Sequence, residues 1–273
     1  MTFIKCGVIG HPVSHSKSPI IHNHWIEKYG LSGKYEAIDI APEELRDKIK
    51  SLLDSGYAGF NVTIPHKVTI MALCDDMDDT AKKIGAVNTL YLKNGKVIGT
   101  NTDAFGFIEN VKRCVPGIDI SRRPSVVLGA GGAARAILYS LIGAGANKII
   151  LLNRTRDKAE TLAHLNPDII TVRDWEVRNG VLKDAGLVVN TTALGMKGKD
   201  PLAIDLSALP NDAVVSDIVY APLMTDLLKA AEARGNKVVT GIGMLLHQAR
   251  PAFEKWFGVL PDVDAILEAK VLS

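Results

Sequence analysis

The chain has 273 residues, enough for two modest domains or one large one, and an ordinary globular balance of 47% hydrophobic to 23% charged residues, so a core needs neither disulfides nor metal. A net charge of +2 with no long block of like charge gives no footprint for nucleic acid. The three cysteines, Cys6, Cys74 and Cys114, form no CxxC pair, which reads as a reducing, cytoplasmic setting rather than a disulfide framework. Met1 to Lys5 runs into a strand-like segment without the apolar run of a signal peptide, and no apolar stretch has the length of a membrane span.

Short apolar runs and helix-like stretches alternate along the chain, which predicts an α/β architecture. Strands are expected at Phe3–Ile9, Tyr35–Ile40 and Ala58–Ile64, with helices at Pro19–Tyr29 and Pro42–Leu53. Asn94-Gly95 between apolar flanks is a hairpin signal, because both residues tolerate the positive φ of a type I′ turn. A helix is expected over Ala104–Cys114. Ser125–Leu128, Lys148–Leu152, Ile169–Val172, Leu187–Asn190, Val214–Ile218 and Lys237–Thr240 then read as strands buried on both faces, and so as a parallel sheet covered by helices. The last two helices, Gly243–Trp256 and Asp262–Lys270, follow no further strand and are expected to return to the first domain.

Gly129-Ala130-Gly131-Gly132-Ala133-Ala134 sits between a strand and a helix. Gly129 permits the tight turn, Gly131 lets the backbone approach a pyrophosphate, and Ala134 allows close packing of helix on strand. The free N–H groups of the new helix would hold the pyrophosphate. Nineteen residues after Ala134 comes Asn153-Arg154-Thr155, followed by Arg156 and Lys158. A carboxylate here would accept from the ribose 2′-hydroxyl of NAD and repel a 2′-phosphate, whereas arginine and lysine attract one, so the loop reads as NADP rather than NAD. Asp157 is expected to face water or begin the next helix.

Between the first strand and first helix, Gly10 to Pro19 is dense in hydroxyls, and Ser18 before Pro19 reads as a helix N-cap. Such a helix start can bind a small carboxylate without a formal cation. Asn61 to Lys67, Val87-Asn88-Thr89 and Asn101-Thr102-Asp103 end strand-like or turn segments, where ligands of open α/β sheets bind. Their amides and hydroxyls both donate and accept, which suits a ring bearing several hydroxyls. The seven histidines show no metal-binding spacing, and no metal is expected.

His15-Ser16-Lys17-Ser18-Pro19, Asn61-Val62-Thr63-Ile64-Pro65-His66-Lys67, Ala86-Val87-Asn88-Thr89, Asn101-Thr102-Asp103, the glycine-rich turn, Asn153-Arg154-Thr155 and Gly241-Ile242-Gly243-Met244-Leu245 stand in the motif order of shikimate dehydrogenases, which the chain resembles from about Gly7 to Asp264. The resemblance implies a discontinuous substrate domain from residues 1–103 and 240–273 around a Rossmann-type NADP-binding domain from residues 104–239, with the active site in the interdomain cleft. It implies reversible, NADPH-dependent reduction of 3-dehydroshikimate, with Lys67 and Asp103 as the catalytic pair. Ser16 and Ser18 would hold the substrate carboxylate, and Thr63, Asn88, Asp103, Tyr220 and Gln248 the ring hydroxyls. The cofactor would meet Gly129, Ala130, Gly131, Gly132, Ala133, Asn153, Arg154, Thr155 and Lys158, with Gly241 and Met244 beside the nicotinamide and Ile218 and Asp79 on the cofactor side. Two alternatives share most of these motifs: an NAD-preferring quinate/shikimate dehydrogenase and a non-catalytic, ligand-sensing relative. The expected partner is the small-molecule substrate, with no nucleic acid or membrane; a homodimer is compatible with the sequence.

Overall fold

The computed structural model describes residues 2–273. The described residues through Thr102, together with Leu245–Ser273, form one compact unit, and Asp103–Met244 form a second.

In the first unit the chain runs β1 (Ile4–Gly10), α1 (Ser18–Lys28), β2 (Gly33–Asp39), α2 (Leu45–Asp54), β3 (Tyr57–Val62), β4 (Asp76–Met77), α3 (Asp79–Ile84), β5 (Thr89–Lys93) and β6 (Lys96–Thr100). These strands form one mixed sheet in the order β2-β1-β3-β5-β6-β4. Strand β1 pairs in parallel with both β2 and β3, and the antiparallel hairpin β5/β6 turns at Asn94 and Gly95, with φ of 52° and 73°. That is the type I′ conformation expected of Asn-Gly.

The second unit begins with α4 (Asp103–Cys114) and continues β7 (Ser125–Leu128), α5 (Gly132–Gly143), β8 (Ile149–Leu152), α6 (Arg156–Ala163), β9 (Ile170–Arg173), β10 (Leu187–Asn190), β11 (Val214–Asp217), α7 (Asp226–Ala233) and β12 (Lys237–Val239). Its sheet is parallel throughout, in the order β12-β11-β10-β7-β8-β9. Central strands β7 and β10 are buried at every residue, as helices on both faces demand. Counted from β7, this is the 3-2-1-4-5-6 order of a doubly wound dinucleotide fold. The order reverses between β7 and β10, so the ligand crevice lies past their carboxyl ends.

Helix α8 (Gly241–Phe257) contributes its first turn to the second unit and the rest, with α9 (Ala265–Leu272), to the first. The expected boundaries at 103 and 240 are therefore each shifted. Asp103 opens α4, and Thr240 to Met244 stay with the second unit because they pack there. Asn110 Nδ2 donates to Thr240 O at 2.8 Å, and a Cβ on Gly243 would stand 1.8 Å from Asn110 Oδ1. Met244 belongs to the apolar cluster beneath α5. In the first unit α9 is held on α1 by Lys28 Nζ to Asp264 Oδ2 at 2.6 Å and by Trp25 Nε1 donating to Asp262 O.

Candidate active site

The first unit brings its expected polar residues to the ends of β1, β3 and β6. The loop after β1 is folded by His11 N donating to Ile64 O and by Ser16 N donating to Val13 O. Ser18 is not the N-cap of α1: the helix starts at Ser18 itself, Lys17 is the capping residue, and Ser16 Oγ accepts from Ser18 N at 3.3 Å. Proline at the second helical position still carries no N–H to strand, so the helix begins one residue earlier than the Ser-Pro pair suggests. Ser16 is half-buried and Ser18 buried.

After β3, Thr63 N donates to Ile9 O and His66 N to Thr63 O, forming the turn on which half-buried Lys67 stands. His66 is buried, with its Nε2 2.7 Å from Ile40 O; with that nitrogen protonated it donates to the carbonyl and pins the turn. Val87 N in turn donates to Lys67 O, so the lysine backbone is fixed from both sides.

Asn88 is the hub of the first unit's polar network. Its Oδ1 accepts from Thr102 N at 2.9 Å and Thr89 Oγ1 at 3.0 Å, and its Nδ2 donates to Thr102 Oγ1 at 2.9 Å and Gln248 Oε1 at 3.3 Å. Gln248 Nε2 donates to Leu245 O. The network continues inward through Asn61, whose Nδ2 donates to Thr89 Oγ1 and whose Oδ1 accepts from Tyr35 Oη at 2.6 Å. Tyr35 stacks on His22 at 4.1 Å, and burial pushes the His22 imidazole down to about 3. Asp79 is exposed in the first turn of α3, which Asp78 caps by accepting from Ala81 N.

The second unit carries its own expected residues at the sequence's glycine turn. Gly129 has φ +106°, and a Cβ there would meet Thr191 Oγ1 at 2.6 Å. Gly131 and Gly132 face open space, with no atom within 4 Å of a built Cβ. Helix α5 starts at Gly132 with no side chain capping its first N–H groups. Together these make a cradle open to an anion. Gly129, Ala130, Gly131, Asn153, Arg154, Trp175, Thr191, Thr192 and Ala193 line a cavity of about 210 Å³. Asn153 serves the turn itself, because Oδ1 accepts from Ala130 N at 3.2 Å and Nδ2 donates to Thr155 O at 2.8 Å.

Arg154, which lines that cavity, and Thr155 and Lys158 after it are exposed. Arg156 pairs with Glu160 at 2.9 Å and Asp174 at 2.5 Å, so a phosphate would have to compete with two carboxylates for it, which the basic loop alone did not suggest. Asp157 lies in the first turn of α6, where its charge suits the helix dipole. The residues present fit NADP: an open glycine cradle, an uncapped helix start and a guanidinium, with no carboxylate on the cavity wall.

Past β11, Ile218 packs on the apolar cluster that contains Met244, and Tyr220 is half-buried, its phenol pushed up by burial. A Cβ on Gly241 would stand 2.3 Å from Ile218 O, so only glycine lets the two segments meet. Beneath them lies a cluster the sequence reading missed. Buried Asp217 accepts from Asn190 Nδ2 at 3.0 Å, Val219 N at 3.0 Å and Thr225 Oγ1 at 2.7 Å, and Asn190 Oδ1 accepts from Thr192 N and Oγ1. It ties the loop after β10 to the loop after β11. Burial raises the Asp217 carboxyl above its ordinary range. Thr191 to Ala193 were missed as well; knowledge that β10 flanks the reversal of strand order would have found them.

Residues 8–90 match the model of the shikimate dehydrogenase substrate binding domain, 109–196 that of the shikimate / quinate 5-dehydrogenase, and 241–269 that of the shikimate 5′-dehydrogenase C-terminal domain. A shikimate dehydrogenase (NADP(+)) of Paramagnetospirillum magneticum is 51% identical over 98% of this chain and 97% of its own length. The chain belongs to the shikimate dehydrogenase family. Among solved structures, the shikimate 5-dehydrogenase of Thermus thermophilus, in complex with NADP(H) and shikimate, superposes with a TM-score of 0.87 at 37% identity, covering 98% of each chain. The quinate dehydrogenase of Corynebacterium glutamicum, in complex with NAD, superposes with a TM-score of 0.90 at 30% identity, covering 99% of this chain and 98% of its own. The family thus spans both substrates and both cofactors, and the choice falls to particular residues.

Proposed function

We propose that the protein is an NADP-dependent shikimate dehydrogenase that reversibly reduces 3-dehydroshikimate. The observation that carries this reading is the cavity at the strand-order reversal, where Arg154 stands beside the open Gly131 and no carboxylate occupies the place of the 2′-hydroxyl acceptor. A guanidinium there favours a 2′-phosphate by paired, charge-assisted hydrogen bonds. The curated relative that is 51% identical bears the same activity and cofactor in its name.

The bound NADPH supplies the hydride. The chain's residues do the rest. Ser16 and Ser18 hold the carboxylate, and Thr63, Asn88, Gln248 and Tyr220 take the ring hydroxyls. Asn88 and Gln248 release their mutual 3.3 Å bond, the longest of the Asn88 side-chain amide bonds described above, in exchange for a ligand hydroxyl. Lys67 donates a proton to the ketone oxygen as negative charge develops there, and Asp103 orients its ammonium. Lys67 stands in the first unit and Asp103 in the second, so their pairing is part of the proposal. Gly241 and Met244 would stand beside the nicotinamide, with Ile218 and Asp79 on the cofactor side. The three free cysteines suit a cytoplasmic enzyme, and no helix among the described residues is long and apolar enough to cross a membrane.

The test follows absorbance of the reduced nicotinamide with shikimate and either NADP or NAD, beside Lys67→Ala. The expected outcome is reduction of NADP in preference to NAD, slowed roughly 10²- to 10⁴-fold by Lys67→Ala with the fold retained. Undiminished activity in Lys67→Ala would reject the mechanism and keep the enzyme. Faster reduction of NAD would overturn the cofactor reading. No reduction with either would move the protein to another substrate or to a binding role.

A further inference from the structure

The cavity over the glycine turn has one aromatic wall. Trp175 follows β9 at the start of a short 3-10 helix (Trp175–Val177), half-buried, and lines the same cavity as Gly131, Arg154 and Thr192. Its indole is held firmly. It packs against the apolar cluster that includes Leu152 and Val126, and the Arg178 guanidinium lies 5.3 Å from its ring centroid. Arg178 is itself fixed, with Nη1 donating to Trp175 O at 3.1 Å and Nε to Ala203 O at 2.7 Å. The preceding residue, Asp174, is tied to Arg156 at the start of α6. A large aromatic ring is thus kept in place beside Arg154 rather than buried whole in the core.

The glycine cradle and the Arg154 loop account for the phosphates of a dinucleotide. Nothing assigned so far recognises its base, which is joined to the ribose that carries the 2′-phosphate and must therefore lie within reach of Arg154. A purine is neutral, planar and aromatic, and the side chain whose chemistry matches it on this cavity wall is the indole. We propose that Trp175 is the adenine-binding wall of the cofactor site. Stacking of a base on an aromatic ring does not depend on the 2′-substituent. Trp175 therefore adds affinity for NADP and NAD alike, while Arg154 separates the two. The Arg178 cation against the indole keeps the ring in orientation in the ligand-free protein, which lowers the entropy lost on binding.

The proposal rests on the NADP reading above, and its test keeps the two apart. Adenosine 2′,5′-bisphosphate, which has the base and no nicotinamide, is titrated by calorimetry and by tryptophan emission into the wild type, Trp175→Phe, Trp175→Ala and Arg154→Ala; NADP and NAD are titrated in parallel. The other two tryptophans, Trp25 and Trp256, are buried in the first unit and supply a constant background. The expected result is quenching of wild-type emission that Trp175→Phe abolishes. Affinity for the bisphosphate and both dinucleotides should fall roughly ten-fold in Trp175→Ala and stay within about three-fold of wild type in Trp175→Phe. Arg154→Ala should weaken NADP and the bisphosphate but not NAD. Tight binding of the bisphosphate by the wild type with unchanged emission, or by Trp175→Ala with unchanged affinity, overturns the wall and leaves the cofactor reading intact. A wild type that binds neither the bisphosphate nor NADP removes the cofactor reading and the proposal with it. The wild-type quenching result stands even where Trp175→Ala fails to fold.

Discussion

The two units present their polar groups in opposite ways. In the first unit the polar side chains are bonded to one another: Asn88 uses both ends of its amide, and Thr102, Thr89, Asn61 and Tyr35 complete the network. In the second unit the turn presents N–H groups and glycine faces to open space, and the guanidinium of Arg154 lies exposed beside them. A ligand taken up by the first unit's network would have to exchange hydrogen bonds, so an analogue lacking one hydroxyl would leave a buried group unpaired. A dinucleotide bound at the second unit's turn would add bonds to N–H groups that no side chain caps. The first arrangement favours selectivity, and the second affinity for a shared chemical handle, the phosphates.

The largest effect that would break this contrast comes from Asn88→Leu. In the ligand-free protein it strands the Thr102 N–H and removes the Asn88 donor from Gln248 Oε1, and it should cost about 3 kcal/mol of stability in urea unfolding. Arg154→Ala should stay within about 0.5 kcal/mol of wild type in the same experiment. Equal losses from the two would mean that the glycine turn of the second unit is as interlocked as the network of the first.

Gly131→Ala sharpens the cofactor side. A Cβ there meets nothing in the protein, so the melting temperature should not move. The same methyl intrudes on the space proposed for the pyrophosphate, and NADP affinity should fall by about 2 kcal/mol, roughly 30-fold, by calorimetry. Gly129→Ala is the control of opposite kind. Its positive φ and its contact with Thr191 predict a loss of stability before any ligand is added.

Much of this was legible in the chain. The parallel sheet showed in its unbroken apolar strands, and Gly129 to Ala134 announced the turn because strand, glycine and helix occur in fixed order there. The substrate-side residues were legible as motifs. What escaped depends on tertiary placement. Trp175 is a single aromatic in a polar stretch, and only strand order brings it to the cavity. Asp217 and Asn190 end strands far apart in sequence and are joined only because β10 and β11 are neighbours. Arg156 looked like a phosphate ligand because sequence cannot show that Glu160 and Asp174 claim it. Ser18 resembled a cap because Ser-Pro commonly is one, and the backbone here starts the helix a residue sooner.

The contrast extends to acid. His22 in the first unit is held at about 3 by burial, against 6.5 when exposed. As pH falls below about 6.5 the unfolded chain takes up a proton that the folded one refuses. Stability that is complete above 6.5 is therefore lost as pH falls toward 3, by at most about 1.4 kcal/mol per pH unit. Asp217 in the second unit has the reverse sense. Burial raises its carboxyl above 3.8, so its contribution is complete below 3.8 and is lost as pH rises through the folded value. Mild acid should thus weaken the first unit through His22 while relieving the second through Asp217. Urea midpoints between pH 7 and pH 4, followed through Trp25 and Trp256 in a Trp175→Phe background, should fall with acid, and His22→Phe should flatten that fall by close to one proton. A slope unchanged by His22→Phe would assign the acid sensitivity to other groups. It would mean that the imidazole stacked on Tyr35 takes up its proton at the same pH folded and unfolded, and it would remove the reason for assigning the loss in acid to the first unit.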